Sequence, residues 1–272
     1  MEDKLRFFDS HAHYYDDRFY GEENEQGAEA LLKSLFADGL LGVINVGTNS
    51  HTNRLAIEQA KRFPLMYAAV GLHPEDMAHC EKPVDVQLAE LRSLVENAEI
   101  RRENKIVAIG EIGLDYYWEP YDKVKQMECF KAQLELAREL DMPVIIHDRE
   151  AHGDCLDVLR AHPRVFGVFH SFSGSLEMAR ELLRRDFYIS FSGTVTFKNA
   201  QKVAAVAAAM PHDRTLIETD APYLAPHPHR GELNHSGLMR LTASRMGELW
   251  GVTPEEAAAI TAENARRLFL RK

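Results

Sequence analysis

Short apolar runs rich in β-branched residues alternate with longer amphipathic stretches along the whole chain. Strand-like runs lie at 5–9, 41–47, 65–71, 105–111, 143–147, 164–170, 187–193 and 214–220. Helical periodicity fills 27–38, 50–62, 84–103, 122–140, 150–161, 175–185 and 198–209 between them. The segment 236–271 reads as two further helices broken near "GVTPEE", where Thr253, Pro254 and Glu256 supply an N-cap, a proline at the first helical position and a capping-box glutamate. The strands show little polar alternation, so both sheet faces are covered and the sheet is mostly parallel. Eight β/α units without a linker favour a closed barrel over an open sheet. The expectation is a (β/α)8 TIM barrel with extra C-terminal helices, a single domain over residues 1–272. The acidic stretch 20–27 reads as a solvated loop entering the first helix.

Composition narrows the class. The chain has 272 residues, 45% hydrophobic and 27% charged, the profile of a globular protein. The densest apolar stretch, 203–210, falls far short of the ~18 residues of a membrane span. The N-terminus lacks the layout of a secretory signal. Cys80, Cys129 and Cys155 are widely spaced and odd in number. They point to a reducing compartment, the cytoplasm, and to no disulfide framework. A net charge of −10 argues against coating duplex DNA, which depends on neutralising many phosphates. It does not exclude a nucleic-acid enzyme, because bound divalent cations change the field of a cleft.

In such a barrel, chemistry sits at the C-terminal ends of the strands. The first strand ends in His11 and His13, two apart and therefore on one face if the strand runs that far. The fourth ends in Glu111, the fifth in His147, the sixth in His170 and the eighth in Asp220. Each alone reads as a turn or capping residue. Together, four histidines and two carboxylates on one rim read as a metal site. Imidazole and carboxylate suit Zn, Mn, Fe or Ni, and carboxylate with water suits Mg. Six ligands exceed what one catalytic zinc uses, whereas two divalent ions sharing a carboxylate would use them all.

The segments "FFDSHAH", "AVGLHPED", "IVAIGEIGLDYYW", "MPVIIHDREAHGD", "FHSFSGS" and "LIETDAPYLAP" follow one another at intervals that resemble the TatD family of metal-dependent deoxyribonucleases. The resemblance spans nearly the whole chain. It implies a divalent-metal phosphodiesterase acting on DNA, a 3′–5′ exonuclease preferring single strands; the acidic net charge and a mouth recessed among eight loops extend that expectation to frayed ends over blunt duplex. It also implies one ion on His11, His13 and Asp220, a second on His147 and His170, Glu111 bridging them, and His73 against the scissile phosphate. Catalytic roles then fall to Asp220, Glu111 and His73, with Asp220 both ligand and proton acceptor.

Read from the residues alone, several neighbours stay open. His73 stands past the third strand at the same rim, but His-Pro is also ordinary turn chemistry. Arg149 offers a fork to phosphate, or a salt bridge in the next helix. Glu218 shares a face with Asp220 and orients a ligand or water, or is a buried structural carboxylate. Tyr14, Tyr15, Tyr116, Tyr117, Trp118, Phe172 and Tyr223 are a pool from which base-stacking rings are drawn. After "DAPYLAP" the family commonly has an arginine and then Asn-x-Pro. Here Arg230 and Asn234 remain, but His235 and Ser236 follow with no proline. The alternative function is hydrolysis of a small phosphoester, lactone or amide on the same site, since fold alone does not choose. A non-catalytic scaffold fits poorly with an intact set of six ligands.

Overall fold

Consecutive apolar residues with no polar face need cover on both sides, and the eight strands obtain it inside a ring of helices. The computed structural model describes residues 6–20, 27–79 and 82–271. The strands are β1 (Phe7–Ala12), β2 (Leu40–Val46), β3 (Met66–Val70), β4 (Ile106–Asp115), β5 (Val144–Arg149), β6 (Gly167–Phe169), β7 (Phe187–Phe191) and β8 (Thr215–Ile217). All pair in parallel in chain order. The helices between them are α1 (Glu29–Ala37), α2 (Ser50–Arg62), α3 (Asp76–His79), α4 (Val84–Val95), α5 (Ala98–Glu103), α6 (Lys123–Leu140), α7 (His152–Ala161), α8 (Leu176–Leu183) and α9 (Gln201–Ala209). Two more, α10 (Met239–Trp250) and α11 (Pro254–Phe269), complete the chain. The expected capping box opens α11, with Thr253 and Glu256 bonded reciprocally at 3.1 and 2.9 Å.

The barrel is nearly closed. Between β8 and β1, the His13 N–H donates to Ala221 O at 2.7 Å and the Asp220 N–H to His11 O at 2.9 Å. Buried Asp9 stitches the same seam, accepting from the backbone and hydroxyl of Thr219 at 3.0 and 2.7 Å. Phe8, Ile44, Ala69, Ala108, Ile145, Val168, Tyr188 and Leu216, one from each strand, fill the interior.

Three expectations shift. The stretch 84–103 is two helices, because the Asn97 side chain accepts from the N–H groups of Glu99 and Ile100 and starts a new one. β4 runs four residues past Glu111, to Asp115. β6 and β8 are shorter than their apolar runs. Most of the acidic stretch, 21–26, and Cys80 lie outside the described residues. Cys129 and Cys155 are free, buried thiols.

Where the ladders end, side-chain amides replace them. A carboxamide presents a donor and an acceptor side by side, as a peptide group does. Gln133 of α6 bonds both backbone groups of Leu72, at 2.8 and 3.1 Å. Gln126, two turns earlier, does the same for Asp115 at 3.0 and 2.8 Å. Asn53 of α2 grips Gly71 at 3.1 and 3.0 Å. These clamps fix the end of β4 at Asp115 and the loop that carries His73.

Gly113 marks the tightest strand contact near the site. It pairs with His147, has φ +149°, and a Cβ there would lie 1.9 Å from His147 O. Gly113→Ala is expected to destabilise the fold by about 3 kcal/mol, the upper end of ordinary substitutions. Gly153→Ala in α7, with nothing within 4 Å of the added Cβ, should be neutral or stabilising by a few tenths of a kcal/mol. Urea midpoints of the two variants check this; equal losses would contradict it.

Candidate metal centre

Strict alternation would turn two of the mouth residues away from the barrel axis. Phe8 and Ala108 point inward, and His11 and Glu111 are each three residues further on. The β1–β2 register slips between Asp9 and Ala12, and the β4 pairing with β5 slips between Ile109 and Ile112. Such irregularities re-aim a side chain, and here they bring His11 and Glu111 into the mouth. Asp220 sits at φ +58°, a left-handed conformation that aspartate tolerates better than most residues.

Glu111 is 4% exposed, and its two oxygens face different groups of imidazoles. Oε1 lies 2.7 Å from His170 Nε2, 2.8 Å from His147 Nδ1 and 3.5 Å from His73 Nε2. Oε2 lies 3.3 Å from His11 Nε2 and 3.8 Å from His13 Nε2. Asp220 Oδ1 is 3.6 and 3.5 Å from those same two nitrogens. The side chains thus form overlapping groups with metal-binding spacing: His11, His13 and Glu111; His11, His170 and Asp220; His73, Glu111 and His147.

The outer nitrogens are anchored. His13 Nδ1 donates to Val46 O at 2.7 Å, His147 Nε2 to Asp115 at 2.8 Å, and His170 Nδ1 to Glu218 at 3.3 Å. Each bond fixes the tautomer and turns the other nitrogen toward Glu111 or Asp220, as in many carboxylate–histidine–metal arrangements. His11 Nδ1 is buried with no hydrogen-bond partner among the described residues. His11 Nε2 and His13 Nε2 stand only 3.1 Å apart, and His147 Nδ1 and His170 Nε2 only 3.3 Å.

Proton affinities follow from this crowding. Burial works against the Glu111 charge, yet the neighbouring His170 holds its carboxyl well below the usual range. Burial also opposes charge on His147, but Asp115 and Glu111 overcome it and raise that ring to about 9. His170 is likewise held well above the usual imidazole range against the same penalty, by Glu111 and then Glu218. Burial and the adjacent His170 push His11 down, toward its neutral form. Asp220 is lowered despite burial, chiefly by its bond to His13. The carboxylates therefore hold positive charge between the rings, and a divalent cation supplies that charge to the same converging nitrogen and oxygen donors. The donor set fits a metal.

All six residues expected to bind metal meet at the mouth, and His73 joins them. Glu218 is buried, accepting from the Ser171 N–H at 2.7 Å as well as from His170, so it orients an imidazole. Arg149 has no carboxylate within ion-pair distance among the described residues; its guanidinium lies 3.8 Å from the Tyr117 ring centroid. Tyr117 and Trp118 are half exposed at the rim, and Tyr15, Phe172 and Tyr223 line the mouth. Tyr14 does not belong with them: it is fully buried and bonded to Ser236 at 2.6 Å. Tyr116 is tied to Asp154 at 2.8 Å. Asn234 holds the loop after β8 through Thr219 O and Tyr223 O, and Ser236 donates to Asp9 at 2.6 Å. The sequence reading missed two carboxylates. Asp115 lies two and four residues past Gly113 and Glu111, so a longer β4 would have revealed it. Asp9 closes the strand-like run 5–9 and carries no further signal in the sequence.

Comparison with known proteins gives the same answer across the chain. Residues 8–270 match the family model of TatD related DNase. The metal-dependent hydrolase YabD of Bacillus subtilis is 39% identical over 264 residues, covering 96% of this chain and 98% of that protein. The metal-dependent hydrolase TatD of Mycobacterium tuberculosis is 36% identical, covering 92% and 93%. The crystal structure of YjjV, a TatD homologue from Escherichia coli, superposes with a TM-score of 0.86 at 32% identity, covering 98% and 99%. A barrel whose mouth gathers a metal-binding donor set, matched over nearly its whole length by these proteins, belongs to the TatD family and is a metal-dependent hydrolase.

Proposed function

We propose that the chain, as one catalytic domain, removes nucleotides from the 3′ end of single-stranded or frayed DNA, with Glu111 bridging two divalent ions. One observation carries the reading: the two oxygens of a single buried carboxylate face separate imidazole groups. His11, His13 and Asp220 would hold one ion, and His147 and His170 the other. Ions held there would supply the chemistry of acidifying a water and neutralising charge on a phosphodiester.

The remaining steps belong to the protein's own groups. Asp220 accepts the proton of the attacking water. His73 differs from the other rings. Its Nδ1 accepts from the Glu75 N–H at 3.2 Å, which leaves the proton of the neutral ring on Nε2, facing the site. That makes it a donor to a phosphate oxygen rather than a metal ligand. Arg149, steadied on Tyr117 by its face, keeps its N–H edge for a second phosphate oxygen. Tyr117, Trp118 and Tyr223 offer exposed rings for stacking bases. The mouth encloses about 780 Å³, within the ~300–1,000 Å³ of small-molecule sites. A flexible strand end enters such a space; a stacked duplex does not.

Asp220→Asn keeps an oxygen ligand and removes the base. Turnover on a labelled single strand should fall by roughly 10²-fold or more under saturating metal, with the melting temperature little changed. Wild-type turnover in this variant would remove Asp220 from the chemistry.

The substrate reading is checked with end-labelled single-stranded DNA, blunt duplex and RNA incubated with Mg, Mn or Zn. A ladder shortening one nucleotide at a time from the 3′ end, faster on single strands, is expected. Internal cutting of closed circular duplex, or hydrolysis of lactones and amides with no attack on DNA, would overturn it.

A further inference from the structure

The mouth is not the largest concavity. A groove of about 1170 Å³ lies at the opposite end of the barrel, where the chain enters β6, β7 and β8 and where α11 ends. Seven arginines line it against three aspartates. Arg164 precedes β6, Arg184 and Arg185 precede β7, and Arg214 precedes β8. Arg266, Arg267 and Arg271 come from the end of α11 and just beyond.

Little within the protein neutralises them. Arg185 reaches Glu181 at 3.4 Å, and Arg214 reaches Asp186 at 3.6 Å. Among the described residues, no carboxylate is within ion-pair distance of the other five. Two of the seven are seated on aromatic rings, Arg271 4.1 Å from the Phe166 centroid and Arg214 5.3 Å from that of Tyr188. A guanidinium held by its face keeps its N–H fork in the ring plane for another partner. In a chain of net charge −10, this concentration of like charge is a local exception that carries a repulsive cost. A ligand with several negative charges relieves it.

We propose that this groove is a second binding site, for the phosphate backbone of single-stranded nucleic acid, separate from the catalytic mouth. Its volume exceeds the ~300–1,000 Å³ of small-molecule pockets, so it suits an extended ligand. The seven cations come from four stretches of chain, more than one phosphate can pair with, which matches a series of phosphates better than one. Arginine forks fit phosphate oxygens bidentately. The choice of nucleic acid among polyanions rests on the proposed phosphodiester cleavage. A strand anchored here raises the local concentration of ends near the mouth, while a substrate too short to reach the groove gains nothing from it.

The test uses the full-length protein carrying Arg184→Glu, Arg266→Glu and Arg267→Glu, all exposed and none in the mouth. Two quantities are read. One is the affinity for an end-capped, fluorescently labelled single strand of about 20 nucleotides, longer than a typical single-strand site, across a salt series. The other is hydrolysis of bis(p-nitrophenyl) phosphate, which needs only the mouth. Strand affinity should fall at least tenfold. The slope of log affinity against log salt should drop by about 2, from three phosphate contacts at ~0.7 each. Hydrolysis of the small diester should stay within twofold of wild type. The matching lysine variants should retain most of the binding. If the charge-reversed protein does not fold, the alanine triple replaces it with the same expected directions. Unchanged strand affinity would overturn the proposal, as would a mononucleotide binding as tightly as the strand. So would a wild-type dimer that the substitutions dissociate, which would make the groove a subunit interface. Loss of strand binding in the variant, with neither protein cleaving any phosphodiester, would sink the catalytic reading and leave the groove standing.

Discussion

A carboxylate taken out of water must find compensating charge, and Glu111 finds it in the imidazoles around it. Removing an ion from water costs several kcal/mol unless it is paired and hydrogen-bonded. Glu111 meets that cost only because β1, β5, the turn after β6 and the loop after β3 each deliver a histidine within 4 Å of its oxygens. Separate segments of the barrel thus converge on one group. Displacing any of them by the width of an added methyl, as at Gly113, disturbs the charge balance and the strand pairing together.

The surrounding layer serves that convergence. Val46 O, Asp115 and Glu218 decide which nitrogen of His13, His147 and His170 faces inward. Gln126 and Gln133, two turns apart on α6, hold the backbone at Asp115, the last residue of β4, and at Leu72 beside His73. Asp9 joins β1 to the turn that presents Asp220. The mouth is set by rigid elements, and the exposed rings of Tyr117 and Trp118 stand at its edge. Charge at the two ends differs in kind. The mouth balances carboxylates against imidazoles, while in the far groove five of seven arginines have no ion-paired carboxylate among the described residues.

Much of this was legible in the sequence, for definable reasons. The strands announced themselves because both of their faces are buried, and the gathering of the candidate ligands at one mouth because strand ends share one rim. His11 and His13 point the same way for the simplest reason, their spacing of two. What escaped depends on events that periodicity does not encode. The register slips that turn His11 and Glu111 inward leave no mark in the hydrophobic pattern. Asn97 splits one helical stretch by capping a second, a competition that helical periodicity alone does not resolve. Tyr14 looked like a rim aromatic beside His13, but it faces the other way and is buried against Ser236, 222 residues distant in the chain. The arginine groove was invisible because its cations are scattered over more than a hundred residues of an acidic chain, and only the barrel brings them together.

The proposed bridging role of Glu111 is the centre of this picture, and metal content tests it most directly. Protein loaded with Mn or Zn would be analysed for metal per chain and mapped by anomalous scattering, as wild type and as Glu111→Gln, which keeps the side-chain shape and removes the charge. Two ions per wild-type chain, one on each side of Glu111, with at least one lost in the variant, is the expected result. A single ion held by His11, His13 and Asp220 with unchanged occupancy in Glu111→Gln, or ions bound away from the barrel mouth, would contradict it.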